Sequence, residues 1–149
     1  MMDQLKELDR QVVELERQIK VWHRANEFSS KLEKVPGSGP ITASALVATV
    51  GDARNSKNGR QLATWLGLMR RQHSTDGKST LLGISKRGDC YLGTLLIHGM
   101  RAVICQVHCK PGRSGWLRSL SVRRHQNVAV VALANKNARI VWALLAHEL

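Results

Sequence analysis

Residues 35–47 read VPGSGPITASALV and mark the clearest boundary between two segments of the sequence. An apolar residue, a proline and Gly-x-Gly, followed by a helix that opens with small residues, is the pattern of a helix-hairpin-helix. Gly37 and Gly39 allow a tight turn and a close approach to a phosphate, and the exposed amides of the new helix favour an anion. A plain turn between two helices is the alternative, because Gly-x-Gly alone is a weak signal.

The distribution of charge changes at the same place. Residues 1–34 contain seven acidic and seven basic side chains, whereas residues 35–149 contain sixteen Lys or Arg and four Asp or Glu. The net charge of +12 therefore lies entirely in the second segment, which favours nucleic acid as the partner. A generally basic soluble domain is the alternative. We divide the chain into a helical arm, residues 1–30, and a helical domain, residues 31–149.

A heptad pattern precedes this boundary. Its apolar positions are spaced alternately three and four residues apart, at Leu5, Leu8, Val12, Leu15, Ile19 and Trp22. This narrow seam between polar faces predicts a coiled coil and a homo-oligomer formed through residues 5–22. An amphipathic helix packed on its own domain is the alternative. A helix with this small number of heptads is only marginally stable by itself. A partner or the attached domain must therefore stabilise it.

The remainder of the sequence indicates a mostly α fold, a compact helical domain that contains the helix-hairpin-helix-like motif. Ser56 or Asn58 can cap a short helix, Asp89 can cap a long one, and Asn127 opens the last. A strand signal is found only near residues 80–84. The apolar runs are too short for a membrane span, and the first residues do not resemble a secretory signal. We therefore expect a cytoplasmic protein with no membrane contact.

The sequence predicts no metal site and no cofactor in this chain. Cys90, Cys105 and Cys109 are an odd number and do not suggest a disulfide framework. Cys105 and Cys109 lie in an apolar helical pattern, where cysteine acts as a small hydrophobe, and a zinc site is the less favoured alternative. Two-metal cleavage of DNA needs several converging carboxylates. Between Lys34 and His147 there are three, which is too few.

Residues 70–89, RRQHSTDGKSTLLGISKRGD, are basic and rich in hydroxyl groups. Candidate nucleic-acid-binding side chains here are Arg70, Arg71, Gln72, Lys78, Lys86 and Arg87. A serine could attack a phosphodiester if the phosphate is bound in line and its charge is offset. Candidate hydroxyls are those of Ser74, Thr75, Ser79, Thr80 and Ser85. Phosphate binding without catalysis is the alternative, because most basic loops of this composition only bind.

Six motifs carry a family resemblance in their order along the chain. They are VPGSGPITASALVATVGD, NGRQLATWLGL, RQHSTDGK, GISKRGD, YLGTLLIHG and NVAVVALANKNARIVWALL. Together they resemble the C-terminal serine domain of insertion-sequence transposases of the 110 class, the bridge-RNA-guided, Piv-like recombinases. The resemblance implies DNA strand exchange with Ser74 as the nucleophile. It also implies DNA and a guide RNA as partners, and full-length transposase as a further one.

Three features separate this chain from the family pattern. The family's RuvC-like domain, which the resemblance implies would hold Mg²⁺ on its acidic residues, has no counterpart here, so we expect a truncated copy that is inactive alone. Asp76 replaces the first glycine of a Gly-Gly pair, and Gly93 stands where an arginine is common. A non-catalytic DNA- or RNA-binding module, either a relic or a regulator of full-length transposase, is the alternative function. A basic assembly protein fits the charge but not the order of the motifs.

Overall fold

The computed structural model describes residues 1–85, 87–109 and 115–147. The elements are α1 (Met2–Ala25), α2 (Glu27–Glu33), α3 (Pro40–Val50), a 3₁₀ turn (Ala53–Asn55), α4 (Gly59–Trp65), β1 (Arg70–Thr75), β2 (Lys78–Ile84), α5 (Cys90–Cys109), α6 (Gly115–Arg123) and α7 (Gln126–Ala146). The predicted fold class, mostly α with a compact helical domain, is confirmed.

Local capping chemistry starts several helices where the sequence predicts. Asn58 Oδ1 accepts a hydrogen bond from the Gln61 amide at 2.9 Å and caps α4. Asp89 Oδ1 accepts one from the Leu92 amide at 2.8 Å and caps α5. The last helix begins one residue before the predicted Asn127, since His125 Nδ1 accepts from the Asn127 amide at 3.2 Å. These caps satisfy amides that have no partner within the helix.

The long helices α5 and α7 pack against each other at the centre of the core. Their fully buried residues form one cluster with α3 and α4, including Leu46, Leu62, Leu92, Leu96, Met100, Ile104, Ala134, Ala138 and Val141. We expected no apolar run long enough for a membrane span, but by length and composition alone residues 90–107 and 126–146 are apolar enough to cross one. One face of each helix packs in this core, and a core helix buries the same residue types.

A turn between α2 and α3 lies at this motif, which both the predicted helix-hairpin-helix and its alternative, a plain turn, require. Gly37 adopts φ +79° in this turn, and a side chain there would collide with Met100 and with the backbone of Gly99. A side chain at Gly99 would in turn collide with Gly37. The turn therefore packs backbone to backbone on α5. A role of this motif in gripping phosphate stays a prediction.

The arm α1 is joined to the domain at its C-terminal end. His23 is buried, with Nδ1 2.6 Å from Ser29 Oγ and Nε2 3.0 Å from Glu33 Oε2. Residues 1–22 are exposed except for half-buried Glu16 and Ile19. Most of the heptad seam therefore has no intramolecular partner in the described part of the chain. Only its last positions approach the domain.

The basic stretch contains a strand that the sequence analysis did not predict. β1 pairs with β2 in an antiparallel hairpin, with Ser74 opposite Ser79 and Thr75 opposite Lys78. Asp76 (φ +49°) and Gly77 (φ +76°) make the two-residue turn. Both positive φ values match a type I′ turn, in which Asp-Gly is favoured. All six residues of β1 are exposed, so apolar alternation, the usual strand signal, is missing.

Candidate nucleic-acid interface

The hairpin is fixed to the domain at its base. The Ser85 amide donates to the Met69 carbonyl at 2.8 Å, which closes the base of the hairpin. Asn135 Nδ2 on α7 donates to the Leu68 carbonyl at 3.3 Å, and Leu68 itself is buried. The exposed strands therefore extend from a rigid, core-anchored segment.

The two faces of the hairpin carry different side chains. Side chains alternate between faces along a strand, so Gln72 and Ser74 share one face and His73 lies on the other. The pairing is irregular between Arg70 and Gln72, but both of these side chains line the same groove, and Arg71 does not. Gln72 Nε2 donates to Ser74 Oγ at 3.2 Å, which agrees with this arrangement. His73 adjoins Ser74 in sequence but points away from it. His73 is therefore not placed to take the proton of Ser74.

A groove of about 640 Å³ lies between the base of the hairpin and helices α6 and α7. Its lining residues are Leu68, Met69, Arg70, Gln72, Trp116, Val131, Ala132, Asn135, Lys136 and Arg139. The groove thus has three cationic side chains, and Ser74 lies two residues beyond its lining residue Gln72, towards the hairpin turn. Lys136 Nζ lies 4.9 Å from the centre of the Trp116 ring, within cation–π range.

Gly59 on α4 allows α7 to come close at this point. An ideal Cβ on Gly59 would lie 2.9 Å from the Arg139 Cα and 3.1 Å from its Cβ. The close approach of α4 sets the position of Arg139 along the groove. The glycine is thus a packing requirement of the site rather than a contact with a ligand.

The cations of the groove are not neutralised by acidic neighbours. The ion pairs found among the described residues lie in α1 and α2 or join them, such as Arg17 to Glu14 at 2.8 Å and Lys31 to Glu27 at 2.8 Å. The hydrogen bonds from Arg17 lower the pKa of Glu14 to about 2. Within the described ranges, no carboxylate pairs with Arg70, Lys136 or Arg139. The groove therefore offers its full charge to an anionic ligand.

The structure brings together only part of the predicted site. Arg70 and Gln72 line the groove, and Ser74 shares the face of Gln72 nearer the turn, whereas Arg71 does not line the groove and Lys78 is next to the turn. Arg87 is exposed between the hairpin and α5, and its amide donates to Ser85 Oγ at 3.4 Å. Lys86 lies outside the described residues. Gly37 packs on α5, and Gly39 precedes α3 with open space at its α-carbon.

Four lining residues were not singled out from the sequence: Trp116, Asn135, Lys136 and Arg139. Lys136 and Arg139 are three residues apart in a helix that is otherwise mostly apolar, so they share a face. That spacing is the feature of the sequence from which these two residues could have been identified. The partner Arg70 is more than sixty positions away in sequence, and its proximity required the fold.

No metal-binding cluster is present in the described part of the chain. No group of three or more His, Cys, Asp or Glu side chains there could hold an ion. The residues present therefore do not fit the Mg²⁺ that the family resemblance implies for a RuvC-like domain.

Comparison with known proteins places the chain among transposases. Residues 29–116 match the family model described as "Transposase IS116/IS110/IS902 family". The chain is 54% identical to a "Probable family 20 transposase" of Pseudomonas aeruginosa, over 98% of this chain and 44% of that protein. It is 45% identical to the "Transposase for insertion sequence element IS1111A" of Coxiella burnetii, over 94% of this chain and 39% of that protein.

A third relative gives the same result. The "Transposase for insertion sequence element IS1328" of Yersinia enterocolitica is 42% identical over 90% of this chain and 40% of its own length. The chain thus spans less than half the length of these relatives. Since the family model covers more than half of the chain, the chain belongs to the transposase IS116/IS110/IS902 family.

Proposed function

We propose that this chain supplies the serine nucleophile for DNA strand exchange, and that the nucleophile is Ser74. The observation that supports this most directly is the exposed position of its hydroxyl on the hairpin face that it shares with Gln72, a residue that lines the basic groove. Gln72 holds the hydroxyl by a hydrogen bond of 3.2 Å. A transposase family member with an exposed serine two residues from a groove of unpaired cations fits covalent catalysis on a phosphodiester.

In the proposed step, Ser74 Oγ attacks the phosphorus of a DNA phosphodiester. An Oγ–P bond forms while the bond from phosphorus to one deoxyribose oxygen breaks. The serine proton passes to water, and the departing sugar oxygen takes up a proton. Arg70, four residues along the strand and roughly 13 Å away between α-carbons, would bind a neighbouring phosphate of the same strand and so hold the reacting phosphate near Ser74. Reversal of the step with a different sugar hydroxyl joins the new strands.

The Asp76 departure from the family pattern is compatible with this proposal. Asp76 and Gly77 form the turn at the end of the hairpin, and Asp tolerates the left-handed conformation better than most residues. The substitution therefore keeps the hairpin geometry. It does add a negative charge two residues from Ser74, which opposes the approach of a phosphate.

Activity of the proposed site requires help from acidic residues elsewhere. The described residues hold no metal cluster, so no step above uses a metal bound by this chain. We propose that a full-length transposase supplies the carboxylates and Mg²⁺ of its RuvC-like domain. DNA, and a guide RNA bound by the same assembly, are then the partners of this chain.

A covalent DNA–protein adduct tests the proposal. The chain is mixed with a full-length family member whose nucleophilic serine is replaced by alanine, and with labelled DNA that this member normally cleaves. An adduct at the mass of this chain is expected, and Ser74→Ala should abolish it. Ser79→Ala is the matched control, since Ser79 lies opposite Ser74 on the same face. An adduct that survives Ser74→Ala assigns the nucleophile to another residue.

A second function, nucleic-acid binding without catalysis, is favoured by a different observation. In the part of the chain that the structure describes, Ser74 Oγ contacts the amide of Gln72 and no side chain that could remove its proton. Such a chain would regulate the full-length transposase by occupying its DNA or RNA. Salt-dependent binding together with a failure to form any adduct would support this alternative.

We also propose that the chain forms a homo-oligomer. In it, the apolar seams of α1 from two copies of this chain would pack together as a coiled coil. Leu5, Leu8, Val12 and Leu15 are each more than half exposed. The seam continues into a groove of about 360 Å³ between α1 and α3, which Ile19, Trp22, Ile41, Ala45 and Tyr91 line together with neighbouring small residues. Burial of this continuous apolar strip in a dimer would remove it from water.

We further propose that the chain is located in the cytoplasm and makes no contact with a membrane.

A further inference from the structure

The groove beside the hairpin presents an aromatic ring to solvent. Trp116 on α6 is 45% exposed although it lines a concave surface. Val131 and Ala132 of α7, with Leu68, give the groove an apolar floor, and Arg70, Lys136 and Arg139 stand around it. An exposed ring with nearby cations suits a ligand that has both a flat π-face and negative charge. Neither feature alone indicates such a ligand.

We propose that this groove holds one unpaired nucleotide of a single strand, with its base stacked on Trp116 and its own and the neighbouring phosphates bound by the groove cations. The inference rests on the proposed function, because it takes nucleic acid as the partner. The volume of about 640 Å³ falls within the range of small-ligand sites, roughly 300 to 1,000 Å³. Aromatic stacking plus backbone cations is how proteins hold single strands.

A base in a duplex cannot occupy the groove in this way. Both of its faces are covered by neighbouring bases, so it must leave the stack before it can lie on a protein ring. Lys136 now covers part of the ring at 4.9 Å. Its flexible four-carbon stem allows the ammonium to turn towards a phosphate while the base takes its place. The groove should therefore discriminate single strands from duplexes.

The test compares binding of labelled oligothymidine and of a blunt DNA duplex by fluorescence anisotropy, with the full chain. Trp116→Leu should weaken binding of oligothymidine by about five- to a hundredfold, the usual effect of losing one stacked base, and leave duplex binding unchanged. Trp116→Phe keeps a ring and should retain most of the affinity. Trp65→Leu is the matched control, because Trp65 is similarly exposed, at 43%, but lies outside this groove.

A second measurement does not depend on the variants. Ultraviolet cross-linking of the wild-type chain to oligothymidine, followed by mass spectrometry, should label the peptide that contains Trp116. Cross-links that map only to other peptides would overturn the inference. So would a Trp116→Leu variant that binds both nucleic acids like the wild type, or that loses both equally while its thermal unfolding is unchanged.

The same experiment separates this inference from the proposed function. Wild-type chain that binds no nucleic acid at low salt refutes both. Chain that binds the duplex but shows no effect of Trp116 on the single strand refutes only the groove. An oligouridine arm distinguishes the source of the strand, since tighter binding of RNA than of DNA assigns the groove to an RNA nucleotide through its 2′-hydroxyl.

Discussion

Removal of the three groove cations should reduce the salt dependence of DNA binding by a calculable amount. Arg70, Lys136 and Arg139 line one groove and pair with no carboxylate in the described ranges. Each phosphate contact contributes about −0.7 to the slope of log K against log salt on single-stranded DNA. If each cation contacts one phosphate, a triple Gln variant should have a slope smaller in magnitude by about 2.1.

The same reasoning gives the loss of affinity. At about 0.1 M salt, loss of the counterion release from three contacts weakens binding by about 10²-fold. Glutamine keeps the Cβ and Cγ atoms with which Arg139 packs on Gly59, so the fold should survive. The assay is anisotropy titration of labelled oligothymidine at several salt concentrations. Thermal unfolding checks that the variant is folded.

A charge-matched control decides whether the groove or the net charge is responsible. Lys6, Arg10 and Arg24 lie on the exposed arm, and their replacement by Gln lowers the net charge by the same amount. The arm variant should keep the wild-type slope. Equal flattening by both triple variants would refute the assignment to the groove, and an unchanged slope in the groove variant would refute it outright.

Three further predictions concern the arm, the core and the hairpin. Leu8→Asp with Leu15→Asp places charges in the α1 seam and should give a monomer by light scattering, whereas Val13→Asp, on an exposed position outside the seam, should not. Gly99→Ala forces α5 away from Gly37 and should lower the free energy of unfolding by about 1 to 3 kcal/mol, measured by urea denaturation. Asp76→Ala should destabilise the hairpin by about 1 to 2 kcal/mol, seen as faster amide exchange in β1 and β2, because Ala at φ +49° is strained; Asp76→Gly should be tolerated.

Each of these predictions has an outcome that contradicts it. Wild type and the double Asp variant with the same mass would mean that the seam does not mediate association. Gly99→Ala with wild-type stability would show that α5 and the α2–α3 turn can separate freely. Equal amide protection in Asp76→Ala and the wild type would mean that the turn is not required for pairing of β1 with β2.

The sequence alone predicted those features that depend on neighbouring residues. Asn58 and Asp89 cap helices because a side-chain oxygen can reach an amide three residues ahead. The heptad spacing of α1 and the apolar periodicity of α5 likewise arise from helical geometry, so both can be recognised in the amino-acid sequence. The change in charge at residue 35 needed no structure. The family, too, followed from the order of local motifs.

Only the tertiary structure decided which residues meet. The hairpin was not predicted as a pair of strands, because both strands are polar and pairing joins residues through hydrogen bonds that composition does not reveal. Arg70 on β1 lies in one groove with Trp116, Lys136 and Arg139, and Gly37 fits against Gly99. These contacts join residues 46 to 69 positions apart in sequence. Such contacts depend on how α5 and α7 pack in the core, and no local pattern records that packing.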